Sequence, residues 1–339
     1  MQPRGVVPGA ALGTWADRPE LAHVAFFYDS QDEYAEVTGD FVRAGLDAGD
    51  PVMIAVPAAN AEVIAKHLST LAEGPVLQDM PVVQDMPVVQ DMTVLGRNPA
   101  RIIAALSMFA DSHPGQLVRY VGEPAWPSRT RSEHAEVMRH EQLLNAAFGH
   151  ERIRILCPYD TCLEREVLAQ AASTHPVLMR NGRLERSPAF SSHAGTLDAV
   201  PLPSPPAGVP VLTYRDNPGV ARDFARQRAR AAGLTEPRLT DLVIAVGELA
   251  ANTLRHTRSD GTIQVWADAG EVICEVRDQG HIRDALAGRR YPPADATGGH
   301  GLWVVHQVCD LVEMRTGSSG TVIRLHMALP GGGQESRPR

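Results

Sequence analysis

The chain has 339 residues, 44 % of them apolar and 21 % charged, with a formal net charge of −8. That length exceeds one typical core, so two domains are expected, and the composition is that of ordinary globular material. The negative balance argues against non-specific nucleic-acid binding. No apolar run reaches the roughly 18 residues of a membrane span. The opening stretch MQPRGVVPGAALGTW is broken by proline and glycine before a signal-peptide core can build, which predicts a cytoplasmic protein. Cys157, Cys162, Cys274 and Cys309 fit no usual zinc or redox spacing and are expected to be plain reduced thiols.

Residues 1–20 read as a flexible arm. A regular alternation then begins with strand Leu21–Tyr28, helix Asp32–Ala48 closed by Gly49, the fully apolar strand Pro51–Pro57 and helix Ala58–Leu71. After an interruption come helix Pro99–Asp111, strand Gln116–Val121, helix Ser132–Phe148, strand Ile153–Cys157 and helix Leu163–Ser173. Strands spaced by helices predict a three-layer α/β domain over 21–186, doubly wound around a parallel sheet. The interruption is a hexapeptide repeat, QDMPVV twice and then QDMTVL, over 78–95. Six residues are too few for a repeat architecture, so it reads as an expanded surface loop, with a ligand-contacting flap as the other reading.

Prolines crowd the stretch 187–210, a semi-extended Pro/Ser-rich linker holding the domain boundary. Beyond it, strand Val211–Tyr214 leads to helix Pro218–Ala232, with Asn217 as cap and Pro218 at its first position. Helix Leu239–His256, hairpin Gly261–Val276, helix Gly301–Cys309 and strands Leu311–Thr316 and Gly320–Ala328 follow. Helices on one side of a mixed sheet predict a two-layer α/β sandwich over 211–330, with 331–339 as a flexible tail.

In helix 239–256 the side chains of Glu248 and Asn252 lie one turn apart on one face, and Val243, Ile244, Ala245, Leu249, Ala250 and Leu254 can form its buried flank. Downstream stand two glycine loops, RDQG at Arg277–Gly280 and GGHGLWVV at Gly298–Val305. Taken singly, Glu248 and Asn252 would be solvated helix residues. A carboxamide oxygen beside a carboxylate, facing glycine loops, instead suits a magnesium-bound polyphosphate and a hydroxyl to be deprotonated.

The order E-x-x-x-N, D-x-G and G-x-G-L resembles the ATP site of the GHKL superfamily, and GELAANTLRHT with GHGLWVV is most similar to its bacterial anti-sigma-factor serine kinases. The likeness covers about 211–329 and implies a GHKL (Bergerat) ATP-binding fold. By that resemblance Asn252 would hold Mg2+, Glu248 would be the catalytic base, and Asp278 would accept the adenine amine beside Gly280. Gly298, Gly299, Gly301 and Leu302 would close over the phosphates, and Thr321 would stand near adenine. His256, Arg283, Arg289 and Arg290 remain open between phosphate contact and solvation. The proline-rich linker has no heptad pattern, so a dimerising histidine-kinase hairpin is not expected.

The segments HVAFFYDSQDEYAEVTGDFVRAGLDAGDPVMIAV, EPAWP, HEQLLNAAF, LCPYD and STHPVL resemble the MEDS sensory domain, over about 22–181. His23, Tyr28, Trp126, His134, Glu141, Asn145, Cys157, Tyr159, Asp160 and His175 are polar or aromatic groups near strand ends, the edge where doubly wound sheets bind ligands. His134 and His140 lie far apart around their helix and are not expected to share a metal. No P-loop occurs, so nucleotide hydrolysis is not expected in this domain.

The resemblances imply an anti-sigma factor that binds Mg-ATP and phosphorylates a serine or threonine of a STAS-type anti-sigma antagonist while sequestering a sigma factor. Its sensory domain would respond to a small molecule or partner. Neither nucleic acid nor membrane is an expected partner, and homodimerisation stays open. The alternative is an ATP-binding regulatory module without phosphotransfer.

Overall fold

A computed structural model describes residues 23–72, 87–149, 153–192, 200–257, 259–292 and 299–330. The predicted arm over 1–20 and tail over 331–339 lie outside these residues, as does the first half of the hexapeptide repeat, 78–86. Two compact units form, residues 1–97 with 105–193, and 98–104 with 194–339. Among the described residues no helix is long and apolar enough to cross a membrane.

The first unit contains β1 (His23–Tyr28), α1 (Gln31–Asp47), β2 (Val52–Val56), α2 (Ala58–Ala72), β3 (Val88–Asp91) and α3 (Met92–Leu95). These are followed by α4 (Ala100–Asp111, of which residues 105–111 belong to this unit), β4 (Val118–Gly122), α5 (Arg131–Phe148), β5 (Ile153–Asp160), α6 (Arg165–Thr174), β6 (Val177–Arg180) and β7 (Arg183–Arg186). The sheet order is β3-β2-β4-β5-β1-β6-β7, parallel throughout except for the β6–β7 hairpin. Strands β1, β2, β4 and almost all of β5 are buried, as continuous apolar runs in a parallel sheet require. Alternation along β1 divides the layers. Val24, Phe26 and Tyr28 pack with Tyr34, Val37 and Phe41 of α1 and Ile64 of α2, while His23 points to Glu141 and Asn145 of α5. Ser30 caps α1 and a Thr130–Glu133 capping box starts α5.

Two parts of this unit differ from the sequence expectations. The end of the second repeat copy and the third copy form elements rather than a loop. Val88–Asp91 adds an edge strand to β2, Asp91 caps α3, and Met92 is fully buried. The pair β6–β7 was also unforeseen. Its turn is Asn181–Gly182, both with positive φ (49° and 68°), the conformation that favours Asn-Gly in a two-residue hairpin.

The second unit contains β8 (Val211–Tyr214), α7 (Pro218–Ala231), α8 (Arg238–His256), β9 (Gly261–Asp268), β10 (Glu271–Asp278), α9 (His300–Val308), β11 (Leu311–Gly317) and β12 (Gly320–Ala328). The sheet order is β11-β12-β10-β9-β8, and every pairing is antiparallel, so the expected mixed sheet is corrected. Each strand returns through a hairpin or lies beside a neighbour of opposite direction, and no βαβ crossover joins adjacent strands.

Asn217 accepts the backbone N–H of Gly219 and Pro218 opens α7, whose Ala221, Ala225 and Ala229 are fully buried. Small residues at that spacing let α7 lie close against α8. Leu242, Ala245, Val246, Leu249 and Ala250 of α8 join Val265, Cys274, Val276, Leu325 and Met327 of the sheet in one core. Burying a leucine such as Leu249 contributes roughly 1.5–3 kcal/mol. Ile244 does not belong to this flank, since it is 43 % exposed, one step around the helix from the buried Val243. On the opposite sheet face Arg324 pairs with Glu275, and His326 sits between Glu271 (2.9 Å) and Glu313 (3.0 Å). The linker straps this unit, its Val200 and Pro203 carbonyls accepting Arg315 and Arg324.

Candidate functional site

A cleft of about 1250 Å³ opens in the second unit between α8, the segment after β10 and the start of α9. Glu248, Asn252, Asp278, Gly280, Gly299, Gly301, Leu302 and Thr321 all line it, although 73 residues separate the first from the last. Gly298 lies outside the described residues. The α8 core face anchors the helix and turns Glu248 and Asn252, both half-buried, into the cleft. Among the described residues neither side chain has a hydrogen-bond partner.

Gly301 comes down on this pair. A Cβ there would stand 2.8 Å from a Glu248 carboxylate oxygen and 3.3 Å from the Asn252 amide nitrogen, so a side chain at 301 would push the Glu248 carboxylate from its place. Gly299 precedes α9 with φ 90°, a conformation that disfavours other residues, and no side chain caps the helix. The first amides of α9 therefore keep their hydrogens for a ligand, at the positive end of the helix dipole. Arg255, His256, His281, Arg290 and His300 add cationic or ionisable groups to the walls. Of the three loop arginines left open from sequence, Arg290 lines the cleft, whereas Arg289 is fully buried.

Asp278 ends β10 opposite Thr321 of β12. One carboxylate oxygen accepts the Gly280 N–H at 2.7 Å, and the other accepts the Thr253 hydroxyl at 2.7 Å. The Tyr214 hydroxyl, 3.1 Å from Thr253, extends this chain into the core, and burial pushes its pKa up so that it remains a neutral donor. Thr321 donates to the Gly280 carbonyl at 2.8 Å and meets the Thr316 hydroxyl, which accepts the Ile282 N–H. The threonines thus pin the segment after β10, and Asp278 is fixed at the cleft with lone pairs to spare. Thr253, Tyr214 and Thr316 were not singled out from sequence. Thr253 was findable, since it follows Asn252 on α8 and precedes a solvated helix end. The other two acquire their roles only through tertiary contact.

The first unit holds two polar groups of a different kind. At the carboxyl ends of β1 and β4, Glu123 accepts the hydroxyls of Tyr28 (3.2 Å) and Tyr34 (3.0 Å) and both carboxylate contacts of the Asn60 amide (2.8 and 3.0 Å). Burial raises Glu123 to about 7, against the opposing pull of these donors. Only Tyr28 of this group was expected. Glu123 had a signal, a carboxylate directly after an apolar strand and before Pro124.

Trp126 lies under the Arg129 guanidinium at 3.6 Å, and Asp160 accepts the Cys162 N–H. The His134 pKa is lowered by burial and then by Arg129. Tyr159 is buried against Phe27. His23, Glu141, Asn145, Cys157 and His175 instead converge under the sheet face covered by α5, away from the predicted carboxyl edge. All four cysteines are free, three of them buried, and burial pushes the Cys309 thiol up to about 12.

No curated protein matches the chain. A family model for the methanogen/methylotroph DcmR sensory domain, MEDS, matches residues 22–176, and one for the histidine kinase-like ATPase domain matches residues 215–327. The cleft belongs to the second match and the Glu123 group to the first. The chain thus carries a MEDS sensory domain over residues 22–176 and a histidine kinase-like ATPase domain over residues 215–327.

Proposed function

We propose that the C-terminal domain binds Mg-ATP in the cleft and phosphorylates a serine or threonine of a STAS-type anti-sigma antagonist, while binding a sigma factor. The N-terminal domain would regulate that activity in response to a small molecule. The observation that carries the reading is the Glu248–Asn252 pair, half-buried beneath Gly301 at the start of α9 and without a hydrogen-bond partner among the described residues.

The residues fit the group. Asn252 offers a neutral hard oxygen suited to magnesium, and the α9 amides suit phosphate oxygens. Asp278, held by Thr253 and Gly280, offers an acceptor at the inner end of the cleft. Bound Mg-ATP supplies the transferable phosphoryl group. Glu248 is placed to accept the proton of an incoming hydroxyl, and the amides above it favour negative charge.

The competing reading is a binding module that uses ATP as a structural ligand. The test incubates the full chain with labelled Mg-ATP and candidate antagonists from its host, alongside Glu248→Gln. Label on an antagonist serine or threonine, abolished by Glu248→Gln with ATP affinity retained, supports the kinase. ATP binding without label on any candidate supports the binding module.

A further inference from the structure

The N-terminal domain carries a cluster that neither ATP chemistry nor the Glu123 group uses. His23 opens β1, Glu141 lies on α5, Cys157 on β5, and His175 follows α6. Each is buried, Glu141 and His175 completely. Their ligand-type atoms, one from each residue, all lie within 4.8 Å of one another. One Glu141 carboxylate oxygen is 3.0 Å from His23 Nε2, 3.3 Å from His175 Nε2 and 3.6 Å from Cys157 Sγ, which is itself 3.5 Å from His23 Nε2. A tetrahedral zinc with bonds of about 2.0–2.3 Å would set its ligand atoms roughly 3.3–3.7 Å apart.

The outer contacts settle which nitrogen of each imidazole is bare. His175 Nδ1 is 2.8 Å from the Ala171 carbonyl, which can only accept. The Asn145 amide group donates to the Thr174 carbonyl at 2.8 Å, so its oxygen is an acceptor, and that oxygen faces His23 Nδ1 at 3.1 Å. Both rings therefore carry hydrogen on Nδ1, and each, when neutral, turns an Nε2 lone pair toward a carboxylate. His175 Nε2 makes no hydrogen bond, and neither does the second Glu141 oxygen, among the described residues. Lone pairs facing a sealed carboxylate repel unless a proton or a metal cation lies between them. Two imidazolium rings would place like charges on centroids 4.0 Å apart in a dry interior, which is costly.

We propose that His23 Nε2, Glu141, Cys157 Sγ and His175 Nε2 bind a divalent transition metal, zinc foremost. A thiolate and a carboxylate cancel the two positive charges, leaving a neutral centre suited to full burial. Sulfur with two imidazoles excludes magnesium and calcium and fits zinc. Ala171 and Asn145 orient the two imidazoles from outside, as acceptors behind metal-bound histidines do. The site joins β1, β5, α5 and the end of α6, so the metal clamps the sheet to the helices over it.

The test measures metal content of the untagged full chain by mass spectrometry, then replaces the metal with Co2+. The expected result is one zinc per chain and, with cobalt, tetrahedral visible bands with a near-ultraviolet thiolate charge-transfer band. Cys157→Ala and His175→Gln should lose the metal at least tenfold, whereas Cys162→Ser, which alters the exposed cysteine, should retain it. A folded wild-type chain that takes up neither metal would overturn the proposal, leaving a hydrogen-bonded His-Glu-His cluster. So would metal retained undiminished in both folded variants. The cobalt-to-thiolate band in wild type decides the matter even where a variant fails to fold.

Discussion

Glu248 and Glu141 are each a carboxylate on a helix with an asparagine four residues further on, yet the two domains treat them oppositely. Glu248 and Asn252 stand half-exposed in an open cleft with no hydrogen-bond partner among the described residues, beside a helix start whose Gly299 offers no side-chain cap. Glu141 is fully buried, and Asn145 is spent orienting His23 and holding the Thr174 carbonyl. The first arrangement suits a ligand that enters and leaves; the second suits a group that stays. Sequence spacing is the same in both, so what distinguishes an exchangeable site from a resident one is the surrounding packing.

pH should separate the domains most strongly. His326 lies between Glu271 and Glu313, and its pKa is raised to about 9, the cost of burial outweighed by the two carboxylates. A histidine raised above its unfolded value stabilises fully below about 6.5, and that stabilisation fades as pH climbs through about 9. The C-terminal domain should lose up to about 3 kcal/mol across that window, by the conversion of about 1.4 kcal/mol per pKa unit. Hydrogen exchange resolved by peptide should report the loss, and His326→Gln should flatten it.

Glu123 behaves in a lower window. Its carboxyl is raised to about 7 by burial, so the ionised form is penalised in the fold. The unfolded state then releases its proton first, and the N-terminal domain should lose stability as pH rises from about 4.5 to about 7. Glu123→Gln should remove this dependence while leaving that of His326 in place. If exchange in both domains moved in one common window, the assignment of these two groups would be wrong.

Smaller effects are expected within the cleft. Asp278→Asn removes a charged acceptor, and hydrogen bonds to charged groups contribute about 1.5–3 kcal/mol. ATP affinity should fall roughly 10- to 100-fold, read by calorimetric titration. Glu248→Gln keeps the shape under Gly301, so ATP affinity should change less than about threefold. A large loss in that variant would make Glu248 a binding group and weaken its role as base.

Much of this was readable before any coordinates. Continuous apolar runs marked β1, β2 and the start of β5, and the Asn217–Pro218 pair marked the start of α7. Glu248 and Asn252 were visible because helical spacing is local, and the glycine loops because their motif is contiguous. The His23, Glu141, Cys157 and His175 cluster was not visible as a unit. Its members are scattered from position 23 to 175, and parallel strand order rather than spacing brings them together. The Asn181–Gly182 hairpin did carry a local signal, the Asn-Gly pair itself. The antiparallel order of the second sheet follows from pairings such as β10 with β12, which the chain pattern does not encode.

The most direct test of the ATP cleft is calorimetric titration of Mg-ATP into the wild-type chain and Asn252→Ala, with and without magnesium. The account predicts one saturable site in wild type, weakened at least tenfold by removing magnesium, and no measurable binding in Asn252→Ala despite an intact fold. Equal affinity in wild type and Asn252→Ala, indifferent to magnesium, would contradict it.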